Sequence, residues 1–261
     1  MNSATFPKAI FVTVRTGSSR LPKKCLLPVG GVTMIEHLIL RLKRSREADQ
    51  IVICTTDRAE DAVLTEIAQK HGVLAFRGNE EDKLVRWRDA ARRFGVEFLV
   101  TADGDDPFCE PELIDIAFRQ ASGASRPDFI QAPGLVCGAF TYGIRVSALE
   151  KVCEIKDTGD TEMMWPYFTD TGLFRVEELR GVDEVYRRPE IRATLDYQED
   201  FDFFRTVIEH FLATGKKEYD LRDIIAYLDR NPSVIQINQH LQEKFLANQK
   251  AKTKLVLKEQ R

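Results

Sequence analysis

The stretch Arg15-Thr16-Gly17-Ser18-Ser19-Arg20-Leu21-Pro22-Lys23-Lys24 spaces three cations, Arg15, Arg20 and Lys24, around a Gly-Ser-Ser turn. Glycine and serine let backbone N–H groups turn toward an anion, and arginine grips phosphate through paired hydrogen bonds. The stretch is neither G-x-G-x-x-G nor G-x-x-x-x-G-K-[ST], which excludes the two commonest nucleotide fingerprints here. A plain solvated basic loop is the competing reading. A second cluster, Asp103-Gly104-Asp105-Asp106-Pro107, puts carboxylates on a tight turn. Beside a triphosphate such carboxylates suit magnesium, which takes few protein oxygens and leaves the rest to phosphate and water. The same residues also make an ordinary turn.

A third cluster is Arg192-Ala193-Thr194-Leu195-Asp196, followed by Glu199 and Asp200, which suit the start of a helix. A fourth combines Thr55-Thr56-Asp57 with Arg77, Asp82 and Arg86. Within it, Asp57 fits a helix N-cap and Arg86 fits a solvated helix face as readily as a ligand.

These clusters need a scaffold, and the sequence supplies alternating strands and helices. Residues 9–14 form a continuous apolar, β-branched run, as in a strand covered on both faces. A helix is expected over 34–45, with Thr33 and Glu36 as a capping box. A strand at 51–54 follows, then a helix through Ala62, Val63, Ile67 and Ala68 with Asp57 and Glu60 ahead of it. Strands at 73–76 and 98–100, a helix at 84–94 and another from Pro111 to near Ser122 continue the alternation. Such an order implies right-handed crossovers and a mostly parallel sheet, which binds ligands at the carboxyl ends of its strands. All four clusters follow expected strands. The expected fold is therefore α/β, a Rossmann-like, mostly parallel sheet flanked by helices, in one domain over residues 1–246. An embellishment at about 129–189 covers the site or forms a subunit contact. Helices are expected at 199–214, 221–228 and 237–246. Residues 247–261 are a tail, either frayed or a docking strand around Leu255-Val256-Leu257.

Composition narrows the class. With 38 Lys and Arg against 41 Asp and Glu the net charge is −3, so no global basic field argues for nucleic acid. The run at 9–14 is too short to span a membrane, and Met1 to Lys8 lack an export signal. Five scattered cysteines without a C-x-x-C pair fit reduced thiols in the cytoplasm and argue against zinc.

The pattern R-x-x-S-x-R-L-P-x-K at residues 15–24, followed by Gly31, Met34, Ile35 and His37 in G-x-x-M-I-x-H, resembles the cytidylyltransferase family. That family includes CMP-KDO synthetase, CMP-acylneuraminate synthetase and a spore-coat-polysaccharide branch. The last is the best likeness, through residues 76–82 and Arg86. The resemblance covers residues 9–114, returns at 192–200, and is faint between 129 and 189. It implies the nucleotide-diphospho-sugar transferase type of fold, a Mg2+ cofactor and a homodimer. From the family's G-D-x-P and R-x-T-V-D-x-x-x-D segments it implies Asp105 and Asp196 as metal ligands. It implies that Thr16, Gly17, Ser18, Thr56, Arg77, Asp82 and Arg86 approach the nucleotide. Glu162 to Tyr167 fall where relatives recognise the acceptor, although core packing suits them too. His37, His71 and Trp87 read as structural.

The expected chemistry is in-line attack by an acceptor oxygen on the α-phosphorus of CTP, with Arg15, Arg20 and Lys24 neutralising the leaving pyrophosphate. The acceptor is a sugar acid, an alditol phosphate or a phosphonate. Two alternatives share the scaffold: GTP or UTP with a sugar 1-phosphate, and a nucleotide-binding protein without turnover. A dinucleotide-dependent oxidoreductase suits the fold but lacks the glycine fingerprint.

Overall fold

The computed structural model describes residues 7–259. Strand β1 (Lys8–Thr13) is followed by a two-strand hairpin, β2 (Pro28–Val29) and β3 (Val32–Thr33), and by helix α1 (Met34–Leu42). Next come β4 (Gln50–Thr56), α2 (Ala62–Lys70), β5 (Leu74–Gly78), α3 (Lys83–Phe94), β6 (Phe98–Asp103) and α4 (Pro111–Ser122). Residues 129–189 contain β7 (Phe129–Gln131), β8 (Tyr142–Arg145), α5 (Val146–Ile155), α6 (Pro166–Thr169) and β9 (Val176–Glu178). The chain ends in α7 (Gln198–Ala213), α8 (Leu221–Arg230), α9 (Pro232–Ile235) and α10 (Gln242–Lys252).

Seven strands form one sheet in the order β5-β4-β1-β6-β8-β7-β9. The pairs β5–β4, β4–β1 and β1–β6 are parallel, and β8 runs antiparallel to both β6 and β7. Ile10 and Val12 face one apolar layer, built with α1, α4, α7 and α8; Ala9 and Phe11 face the other, with α3 and α5. That is the two-residue alternation of a strand buried on both sides. Each fully buried Ile or Phe contributes about 1.5–3 kcal/mol. Register then decides where the loops emerge: Thr13 pairs with Asp103 on one side and Cys54 on the other. The chain after β1 and the chain after β6 therefore leave the sheet side by side.

The capping box of α1 is present, with Thr33 N and Oγ1 both donating to Glu36 Oε2 at 2.9 and 2.7 Å. The expected cap on α2 is not Asp57, which is exposed. A short 3-10 turn (Ala59–Asp61) intervenes, and Asp61 holds the N-cap position. Nor is there one helix over 237–246: a turn at Gln239–Leu241 precedes α10, which continues to Lys252. Beyond it, the two open readings of the terminal segment resolve toward docking, since Leu257 bridges antiparallel to Lys156. All five cysteines carry free thiols, with Cys25, Cys54 and Cys109 buried. No helix of the described residues is long and apolar enough to cross a membrane.

Candidate active site

A cleft of about 1120 Å³ opens at the carboxyl ends of β1 and β6. It exceeds the range of about 300–1,000 Å³ usual for one small ligand, so it has room for a nucleotide and a second substrate. Arg15, Gly17, Ser18, Arg20 and Lys24 line one side. Lys24 donates to Asp105 Oδ2 at 2.6 Å and to Asp196 Oδ1 at 2.8 Å, and Arg20 Nη2 donates to the same Asp196 oxygen at 2.5 Å. Two distant carboxylates thus converge on the loop that follows β1. Backbone joins them as well, because Leu195 N donates to Asp105 O at 2.7 Å.

Two glycines allow this convergence. A Cβ on Gly104 would lie 2.5 Å from Val14 Cβ, so only glycine lets the aspartate turn fold against the end of β1. Gly138 has φ +89°, and a Cβ there would lie 2.2 Å from Ala193 O and 2.9 Å from Asp106 Oδ1. Residues 136–138 therefore press directly on the segment that carries Asp196.

Behind Asp196 lies a buried polar support. The fully buried Arg192 donates to Asp196 Oδ2 at 3.2 Å and to both oxygens of Asp200 at 2.8 and 3.1 Å. Asp200 also accepts from Asp196 N at 2.8 Å and Tyr197 N at 3.0 Å, so it starts α7 as expected. Burial raises the cost of charge on Asp196, but Lys24, Arg20 and Arg192 outweigh it and hold the carboxyl below its usual range. Lys24 is likewise held charged by Asp105 and Asp196 against the opposing effect of burial.

Asp103, Asp105 and Asp106 offer carboxylate oxygens within 4.8 Å of one another. Burial, opposed by Lys83 and reinforced by Asp105, raises the Asp103 carboxyl to about 6. Burial and its two neighbours also raise Asp106. Such an excess of crowded, hard oxygen donors fits a divalent cation of the magnesium type.

The other expected residues divide. Arg86 lines the cleft, but it is buried rather than solvated. Its Nη1 donates to the carbonyls of Asn79 and Glu80, and its Nε has no partner among the described residues. Four more are turned onto the chain itself. Thr16 N and Oγ1 donate to Asp61 Oδ1 at 2.7 Å each, and Thr56 Oγ1 donates to Asp61 Oδ2. Arg77 donates to the carbonyls of Thr56, Asp57 and Arg58. Asp82 is the N-cap of α3 and pairs, buried, with Lys156.

Three residues were not singled out from sequence. Asp61 anchors the cationic loop; its signal was an acidic residue at a helix start, misassigned to Asp57. Lys83, at the first position of α3, lines the cleft, donates to Glu162 O at 2.8 Å and faces Asp103. Burial lowers its pKa. Thr141 Oγ1 is buried in the cleft wall without a partner among the described residues. Neither Lys83 nor Thr141 belongs to a recognisable pattern. Of the segment from Glu162 to Tyr167, residues 162–165 line the cleft, whereas Tyr167 is wholly buried in the core.

Comparisons with known proteins place the chain in a family and a fold. Residues 9–256 match the family model described as Cytidylyltransferase. The uncharacterized protein MJ1063 of Methanocaldococcus jannaschii is 32% identical over 235 residues, covering 89% of this chain and 95% of its own. Spore coat polysaccharide biosynthesis protein SpsF of Bacillus subtilis is 27% identical over 227 residues, covering 85% and 93%. The structure of a cytidylyltransferase from Leptospira borgpetersenii serovar Hardjo-bovis is similar with a TM-score of 0.79 at 28% identity, covering 88% of this chain and 97% of that one.

Proposed function

The chain belongs to the cytidylyltransferase family, and from that premise we propose that it transfers CMP from CTP to a small acidic or sugar-like acceptor, releasing pyrophosphate. The observation that carries the reading is Lys24 bonded to both Asp105 and Asp196 beside Arg15 and Arg20.

The triphosphate lies along the loop after β1. Arg15, Arg20, Lys24 and the N–H groups of Gly17 and Ser18 neutralise and orient its β- and γ-phosphates, where charge accumulates as pyrophosphate departs. Asp105 and Asp196 would hold magnesium, with Asp103 alongside. When bound, the ion withdraws charge from the α-phosphate. Arg86 adds a buried cation to the wall of the cleft. An acceptor oxygen attacks the α-phosphorus in line. A carboxylate or phosphate acceptor is already ionised, so the step needs no general base. Alditol phosphates and phosphonates meet that condition, a sugar acid reacting through a hydroxyl needs a base, and the Lys83 ammonium supports an anionic acceptor.

The same reading makes the protein a cytoplasmic homodimer, which sedimentation velocity tests. Function is tested by pyrophosphate release from CTP, GTP, UTP and ATP, each with a panel of the three acceptor classes and Mg2+. Release with CTP and one acceptor class is expected. Release only with another nucleotide, or tight CTP binding without release from any acceptor, overturns the reading.

A further inference from the structure

Helix α10 borders the cleft through Gln242, Phe245, Gln249 and Lys252, yet none of its residues is buried. It is held at its ends. At one end Arg192, which braces Asp196, donates to Gln242 Oε1 at 3.3 Å and lies 4.7 Å from the Phe245 ring centroid. At the other, Lys252 Nζ reaches both oxygens of Glu162 at 3.1 and 3.2 Å, across the mouth of the cleft. The chain then docks as a short strand. Asp157 N donates to Val256 O and Lys258 N to Ile155 O, each at 2.9 Å. The Tyr167 hydroxyl bonds Val256 N at 3.1 Å and Val256 O at 3.3 Å.

What this strand grips is the root of the opposite wall. Lys156 is buried against Asp82, and Thr161 donates to Asp82 and accepts from Leu84 N. The intervening residues lead directly to Glu162–Trp165, which face the cleft. We propose that residues 252–258 are a strap that positions the acceptor-side wall at residues 156–165, leaving the nucleotide half, which α10 meets through Arg192, complete without it. Tyr167 and Lys252 are its positioning residues. With Leu255, Val256 and Leu257 39–42% exposed, its docking is shallow and reversible.

The inference rests on the division of the cleft into nucleotide and acceptor halves. Its test is amide hydrogen exchange at Asp160 and Glu162. These amides bond within the wall, to Thr158 Oγ1 and Asp160 Oδ1, and not to the strap. In the full chain, Tyr167→Phe and Lys252→Glu should each speed their exchange by about threefold or more. The charge swap Glu162→Lys with Lys252→Glu should return it toward wild type. CTP affinity should stay within about twofold, while KM for the acceptor found in the panel rises severalfold. Acceleration confined to amides of the strap and Asp157, or a CTP affinity lowered with that of the acceptor, overturns the proposal. Exchange reads the strap even if CTP fails to bind, so the two readings can fail separately.

Discussion

Asp105 and Asp196, on separate stretches of chain, accept hydrogen bonds from one ammonium group, that of Lys24. The arrangement holds the two carboxylates together and ties both to the cationic loop. It also makes the two carboxylates separable in their cost. Asp196 is nearly inaccessible and braced by Arg192, whereas the Asp105 side chain is 28% exposed.

Asp105→Asn should therefore remove function without removing the fold. Turnover should fall by about a hundredfold or more, in the range found for lost electrostatic groups at reacting phosphates and acyl centres. The melting temperature should move only a few degrees, and EDTA should abolish wild-type turnover reversibly. Near-normal pyrophosphate release by the variant would remove Asp105 from the mechanism.

Lys83→Met tests the acceptor half. The side chain keeps its length and its packing near Trp87 but loses the ammonium. A charged hydrogen bond contributes about 1.5–3 kcal/mol, so KM for an anionic acceptor should rise about tenfold or more. KM for CTP should hardly change. Equal losses for both substrates would instead assign Lys83 to the electrostatics of Asp103.

A pH dependence follows from Glu36. Its burial disfavours charge, but donors from Lys70, His71 and Thr33 outweigh that and hold the carboxyl below its ordinary value. A depressed folded value contributes stability that is complete above the unfolded value, about 4.3, and is lost as pH falls further. Wild type should exceed Glu36→Gln by about 1 kcal/mol at pH 7. The gap should begin to narrow below about pH 4 and shrink further with each step into acid in denaturant titrations. A gap that persists in acid would show that shape, not charge, supports the cap.

Much of the scaffold was legible because its signals are local. The apolar run of β1, the Thr33–Glu36 box and Pro111 in the first turn of α4 each state their structure within a few residues. The seven-stranded order and the antiparallel β8 depend on tertiary packing in a region with little periodicity. At the site, Arg15, Arg20, Lys24, Asp105 and Asp196 form motifs, and the structure gathers them at one cleft. Thr16, Thr56, Arg77 and Asp82 lie in motif regions as well, but motif position does not reveal where a side chain turns. Asp61, three backbone carbonyls and Lys156 took those groups instead. Lys83 and Thr141 became visible only when α3 and the chain entering β8 were placed beside Asp103 and the cleft.

Gly138 offers a test of how closely the two halves of the site must approach. Alanine there would carry a left-handed φ of +89° and a Cβ 2.2 Å from Ala193 O. Gly134 has a similar φ of +77° with nothing within 4 Å, so Gly134→Ala bears the conformational cost alone. That cost is about 1–2 kcal/mol for a non-glycine residue in the left-handed region. Gly138→Ala adds a backbone collision which can be relieved only by moving Ala193, and Ala193 N is bonded to Cys137 O at 2.9 Å. Its displacement carries Asp196 away from Lys24. Gly138→Ala should thus melt several degrees below Gly134→Ala and lose turnover out of proportion to its stability. Equal melting temperatures and equal activities for the two variants would mean that close approach at residue 138 does not hold the carboxylates together.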